Sequence, residues 1–356
     1  MKVRSFVAFI SAVLLLAGVG LTQRRSLKIL LLYDMEGVTG ATSVKHTSFL
    51  HKPEYEEGRK SLTADVNAAI AGLKAGGATE IVVVDGHGSG NDTSPDVLED
   101  QLLAPAKMIS RDRPFDIYMD SYDQSVDAVV AIAMHAGAGN QAGFLSHTYT
   151  AEDVQYKVNS MPFNESMIFA MGAARYKIPL IMVSGDDQLE KEINRFLPWV
   201  KFAAVKHAVS RSLAEPFPRD EVSRRIENAA REAVLALDSA RLPEVPGPYR
   251  FALTFQDEAQ ARLALLSPGA EKLADATSVQ VRAQDFEDGY RQSLRLISLA
   301  STMGSYQAVE AVIAAQPNAE TLKLTISDYM DNRWLNLLPP APPAAPQAPK
   351  RYWGAR

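Results

Sequence analysis

The sequence predicts an α/β protein: a mostly parallel sheet with flanking helices, plus a second, smaller α/β subdomain. Two observations carry this. A strand, helix, strand unit spans residues 26–92, and parallel strands require crossover connections of that kind. Apolar runs beginning near residues 28, 80, 128 and 180 then each break into a glycine-bearing turn with polar residues. Composition agrees, since 356 residues with 47% hydrophobic and 22% charged content can bury a substantial core as one large or two modest domains.

Taken in order, "SLKILLLYD" is a short, continuous apolar run and reads as a buried strand. Residues 55–76 place Leu62, Val66, Ala69, Ile70 and Leu73 at helical spacing and stop at Gly76 and Gly77. "ATEIVVVDGHGSGND", "AVVAIAMHAGAGN" and "PLIMVSGDD" are the next strands. Open parallel sheets hold their sites beyond the carboxyl ends of the strands, so Asp34, Glu36, Asp85, His87, His135, Asp186 and Asp187 are expected to converge. From residue 199 the texture changes. "FAAVKHAVSRS" is strand-like, "RDEVSRRIENAAREAVLALDSA" is an amphipathic helix, "YRFALTFQ" and "SVQVRAQ" alternate as strands, and "FEDGYRQSLRLISLASTM" is a helix. The expected layout is a first α/β domain over 27–198 carrying the convergent residues and a second subdomain over 199–335. A Pro/Ala-rich, extended and mobile tail follows over 336–356.

At the start, Lys2 and Arg4 precede an apolar stretch from Phe6 to Val19, and Gln23, Arg24 and Arg25 follow. That is the layout of a secretory signal over 1–22, with Gly18 and Gly20 offering a small-residue cleavage site. An uncleaved N-terminal anchor is the rival reading, although the apolar run is short for a spanning helix. The chain is therefore expected to be exported, periplasmic or extracellular, without stable membrane insertion once the signal is removed. A net charge of −5 with no long basic run argues against a nucleic-acid partner. The absence of cysteine excludes a disulfide framework, a thiolate metal site and a thiol nucleophile.

The stretch "LLYDMEGVTG" puts two carboxylates, Asp34 and Glu36, at the end of the first strand. With a side-chain period of two they point to one place. Like charges that close repel, so either a positive group sits between them or one holds a proton. His87 and His135 occupy neighbouring strand ends, and with the two carboxylates they form a nitrogen and oxygen donor set suited to zinc or a similar divalent ion. Each residue alone has a structural alternative: a strand-end histidine satisfied by its neighbours, or an aspartate that caps a helix or holds a loop. A glycine-rich strand end can also cradle phosphate, but no Walker pattern with its lysine is present.

"YDMEGVTG", "VVDGHGSGND", "MHAGAGN…GFLSHTYT", "VNSMPFNES", "VSGDDQ" and "AAVKHAVSRS" follow one another in an order and spacing that resemble the bacterial zinc D-aminopeptidases of the dipeptide-transport type, over residues 28–300. The resemblance implies two Zn²⁺ per chain, held by Asp34, Glu36, His87, His135 and Glu165, with His147 in a catalytic role. Glu165 enters through the resemblance alone. It further implies hydrolysis of the N-terminal residue of short peptides, with D-Ala peptides as the substrate class, and a homo-oligomeric ring. Preference for D over L rests wholly on it. The chain departs from the family pattern at Gly86, where Ser is common, and at Asn164, where Gly is common, and nothing beyond residue 303 has a counterpart. His147 would either carry a proton to the leaving amine or attack the carbonyl itself. Asp186 or Asp187 would bind a substrate ammonium, hold a loop or cap a helix, and Lys206 and Arg211 would bind a substrate carboxylate or form surface or interface salt bridges. The competing functions are another metal-dependent hydrolase, an amidase or phosphoesterase, and a non-catalytic exported metal- or peptide-binding protein.

Overall fold

Strand β1 (Lys28–Tyr33) divides its side chains between two cores. Leu30 and Leu32 face one, Ile29, Leu31 and Tyr33 the other, and all five are fully buried. A parallel strand covered on both faces has no solvent side, which is why the run is apolar without alternation. The computed structural model of the chain describes residues 26–339 and 350–354, so the expected secretory signal lies outside the described residues.

Helix α1 (Lys52–Gly76), with Pro53 in its first turn, returns the chain to β2 (Glu80–Asp85) and then to the short β3 (Ala106–Met108). Next come β4 (Ala128–Met134), β5 (Asp153–Val158), β6 (Met161–Pro162) and α2 (Glu165–Ala174). They are followed by β7 (Leu180–Asp186), α3 (Asp187–Phe196), β8 (Lys201–Ser210), β9 (Leu213–Pro216) and α4 (Arg219–Leu235). The last elements are β10 (Tyr249–Phe255), α5 (Glu258–Ala264), β11 (Glu271–Lys272), β12 (Ser278–Ala283), α6 (Phe286–Ala314) and α7 (Ala319–Trp334).

The main sheet has seven strands in the order β3-β2-β1-β4-β7-β8-β9, all parallel except β9. From β1 the chain winds outward through β2 to β3, then starts again on the other side of β1 with β4. β1 and β4 therefore flank a topological switch point, where open α/β sheets form their crevice. Helices α1 and α4 pack together over one face. The other face carries α2, α3 and an antiparallel sheet of five strands, β11-β12-β10-β5-β6, itself backed by α6.

Two features differ from the expected layout. The sheets interleave across residue 199: β8 pairs in parallel with β7 inside the main sheet, while β5 and β6, from before residue 199, belong to the second sheet. The change of texture there reflects strands nearer the sheet edge rather than a new unit. The end of the chain is not wholly an extended, mobile tail, because Tyr352 forms a β-bridge with Arg111. Among the described residues no helix is long and apolar enough to cross a membrane.

Candidate metal centre

The crevice beyond β1, β2 and β4 is a cavity of about 670 Å³, lined among others by Asp34, Glu36, His87, His147, Glu165 and Tyr118. Its volume is that of a small-molecule site. Asp34 follows β1 directly, and its N–H is bonded to Ile132 of β4 at 2.9 Å, which pins the turn carrying Glu36 between the two strands. Just before His135, Ala133 takes a left-handed φ of 61°, and its N–H donates to Ser184 Oγ at 2.9 Å. That strained residue ends regular β4 pairing and turns His135 into the crevice. Glu165 is the first residue of α2, whose N-cap is Asn164 through a 2.9 Å bond from the Met167 N–H. The Asn at this family departure thus caps a helix.

The Asp34 side chain is the hub. Its Oδ1 lies 2.9 Å from His87 Nδ1 and its Oδ2 lies 3.2 Å from His135 Nε2. Glu36 Oε2 is 3.3 Å from the same His87 nitrogen, and Glu165 Oε1 is 3.7 Å from both His135 Nε2 and His147 Nε2. Donor atoms cluster in two groups, Asp34 with Glu36 and His87, and His135 with His147 and Glu165. The structure thus brings together all six residues singled out from the sequence, with His147 inside one of the two donor groups.

The histidine tautomers follow from their neighbours. A backbone carbonyl can only accept, so His87 donates through Nε2 to Thr47 O at 2.8 Å, His135 through Nδ1 to Ala136 O at 3.0 Å, and His147 through Nδ1 to Leu145 O at 2.8 Å. Each second nitrogen is then aimed at carboxylates. Lone pair facing lone pair is repulsive unless a proton or a cation lies between. The same demand appears in the titration: burial lowers the His135 imidazole, but the Asp34 carboxylate beside it and the Glu165 charge outweigh that and raise it to about 10. Burial likewise opposes charge on His87, yet Glu36 and Asp34 raise it well above the usual range. Asp34, which burial would raise, is held well below the carboxylate range by His135 and His87. Glu36 Oε2 and His135 Nε2 are buried with no hydrogen-bond partner among the described residues. A divalent cation fits this set: buried oxygen and imidazole donors, each imidazole oriented by a backbone acceptor on its far nitrogen.

In the supporting layer Asp85 was among the residues expected to converge, while Tyr118 and the Tyr149 N–H were not foreseen in the sequence. Tyr118 Oη donates to Glu165 Oε2, and the Tyr149 N–H donates to Glu165 Oε1 at 2.6 Å. Asp85 accepts from the His87 N–H at 3.0 Å, the Asp96 N–H at 2.8 Å and Tyr33 Oη at 2.7 Å, which fixes the loop that carries His87. Burial, with the Asp96 charge adding, pushes the Asp85 carboxyl up to about 7. At the other family departure, a Cβ on Gly86 would sit 2.6 Å from Tyr33 O, so this tight turn into His87 leaves no room for a side chain.

The remaining candidates stand outside the donor set. Asp186 caps α3, accepting from Gln188 and Leu189 N–H at 2.8 Å, and Asp187 binds His207 Nδ1 at 2.8 Å and the Ala208 N–H at 2.9 Å. Lys206 is fully buried, not at a surface, and donates to the carbonyls of Glu36 and Ala41 at 2.8 Å each. Arg211 donates to Ser146 O at 3.1 Å, beside His147, so it holds that loop.

Comparison with known proteins follows this geometry. The D-aminopeptidase family model matches residues 27–294. The D-aminopeptidase of Bacillus subtilis (strain 168) is 29% identical over 277 residues, covering 77% of this chain and 98% of that protein. The solved structure of the Zn-dependent D-aminopeptidase DppA from Bacillus subtilis, described as a self-compartmentalizing protease, is similar with a TM-score of 0.71 at 28% identity, over 77% of this chain and 98% of that one.

Proposed function

The chain belongs to the D-aminopeptidase family and is a zinc-dependent aminopeptidase; we propose that it holds two zinc ions and releases the N-terminal residue of short D-amino-acid peptides. The observation that carries the two-ion reading is the Asp34 carboxylate, whose two oxygens face different histidines, His87 and His135. Glu36 and His87 would complete one metal position, and His135 and Glu165 the other. Zinc held there supplies Lewis acidity toward the scissile carbonyl and makes water a nucleophile near neutral pH.

The protein's own residues do the rest. His147, with Nδ1–H locked on Leu145 O, presents Nε2 to the cavity and carries the proton from the attacking water to the leaving amine. Tyr118 and the Tyr149 N–H hold Glu165 so that its charge stays aimed at the crevice. The wall formed by Tyr118, Leu145 and Tyr149 limits water and receives the substrate.

The structural relative is self-compartmentalizing, which supports a homo-oligomer here, read as a ring enclosing the sites. Residues 1–22 support export to the periplasm or beyond, where D-Ala peptides are the substrate class in view. The test is metal content and turnover of D-Ala-p-nitroanilide, its L isomer and p-nitrophenyl phosphate, on protein beginning after the signal. Near two zinc per chain with chelator-sensitive, D-selective amine release is expected. Phosphate release without amide cleavage would move the reaction to a phosphoesterase, and equal rates on both isomers would remove the stereochemical part.

A further inference from the structure

The chain continues well past residue 294, where the family match stops, and its end comes back to the site. Arg111 and Tyr352 exchange both backbone hydrogen bonds at 2.8 Å, and the Phe115 N–H donates to Gly354 O at 3.1 Å. Arg351 Nε donates to Ser110 Oγ at 2.9 Å, and Lys350 Nζ lies 3.6 Å from Asp92 Oδ2. Gly354 is closely seated: a Cβ there would stand 3.0 Å from Ile117 Cγ2 and 3.1 Å from Asp85 O, so a side chain would crowd both. Asp85 is the residue that fixes the His87 loop, so the segment is seated on the His87 side of the crevice. Trp353 and Gly354 line the same cavity as Asp34, Glu36, His87, His147 and Glu165. The family match covers residues 27–294, so this second wall lies outside the part of the chain that it covers.

We propose that Trp353, brought back by residues 350–354, is a specificity-determining residue that walls the substrate cavity on the His87 side and confines the enzyme to short peptides with small side chains. The inference rests on the D-aminopeptidase reading and deepens it by naming the size class. An indole is large, rigid and apolar, so placed in a cavity of about 670 Å³ it removes room from a bulky residue while offering a flat face to a small one. Its Nε1 is buried with no hydrogen-bond partner among the described residues, so its emission reports any acceptor or displacement that a ligand brings.

The test uses the zinc-loaded full chain and two variants, Trp353→Ala, which removes the wall, and Gly354→Val, which crowds the seat of the segment on Ile117 and Asp85 O and is compared only at parental zinc content. For each, kcat/KM is measured on D-Ala-D-Ala, D-Phe-D-Ala and the D-Ala tetrapeptide, with metal content alongside. Expected is a rise of roughly tenfold or more in the ratio of a bulky or long substrate to D-Ala-D-Ala in both variants. Ratios within twofold of the parent overturn the proposal, as does an equal rise on every peptide, which would mark a plain plug. If the loaded parent cleaves none of these peptides, the D-aminopeptidase reading itself has failed. Tryptophan emission on titration with D-alanine hydroxamate then decides: a response lost in Trp353→Ala keeps Trp353 as a ligand-contacting wall, and identical responses remove it.

Discussion

The imidazole rings of His135 and His147 stack 4.0 Å apart and 10° from parallel, yet their outward nitrogens serve different ends. His135 Nε2 is buried and faces Asp34, whereas His147 is half-buried at the cavity wall, its Nε2 3.7 Å from Glu165 Oε1. His147→Gln is therefore expected to lower kcat by about 10²–10⁴, the usual worth of a positioned acid or base, with zinc content unchanged. Zinc loss in step with activity would instead make His147 a ligand.

Tyr118, buried at the cavity wall, donates its hydroxyl to Glu165. Tyr118→Phe keeps the ring and its edge contact with Phe169 but releases one carboxylate oxygen of a proposed ligand. Zinc affinity should fall by about 10–100-fold, read by competition with a chelator, while the melting temperature of the zinc-saturated protein moves little. An unchanged affinity would make Tyr118 a packing residue only.

The donor residues at strand ends were legible because a parallel strand buried on both faces leaves few reasons for a polar residue where it stops, and Asp34, His87 and His135 all stand there. Glu165 was not legible from spacing. It opens a helix that follows the two-residue strand β6 of the other sheet, so no periodicity announces it. Lys206 misled for the opposite reason. Lysine is seldom fully buried, and only the three-dimensional course of the turn at 36–41 provides the carbonyls that accept its protons. The membership of β5 and β8 in different sheets depends on pairing across many residues, which local texture does not encode.

Lys206 ties that turn to β8, and burial pushes its ammonium down to about 7 although Asp186, Asp65 and Glu36 pull the other way. Replacing it in Lys206→Met leaves two buried carbonyls without this donor, a cost of about 1–3 kcal/mol for each. A lower melting temperature is expected, together with weaker zinc binding through Glu36 and an unchanged KM for peptides. A raised KM at full zinc loading would return Lys206 to the role of a substrate-carboxylate anchor.

Asp153 opens β5 and is buried. Burial keeps its carboxyl well above the usual range, nearby backbone N–H groups offset part of the rise, and the Glu165 charge adds to it. The folded protein then holds a proton that the unfolded chain has already released at the same pH. Folding stability from this group is fully present below the ordinary aspartate range and is lost as pH rises through the elevated folded value. Asp153→Asn keeps the shape and removes the titration, so its melting temperature should fall less than the parent's as pH is raised from 5 to 9. Thermal melts of the two proteins across that range, at fixed zinc, check this: converging or crossing curves are expected, and curves that stay parallel would mean that Asp153 is ionised in the folded protein throughout.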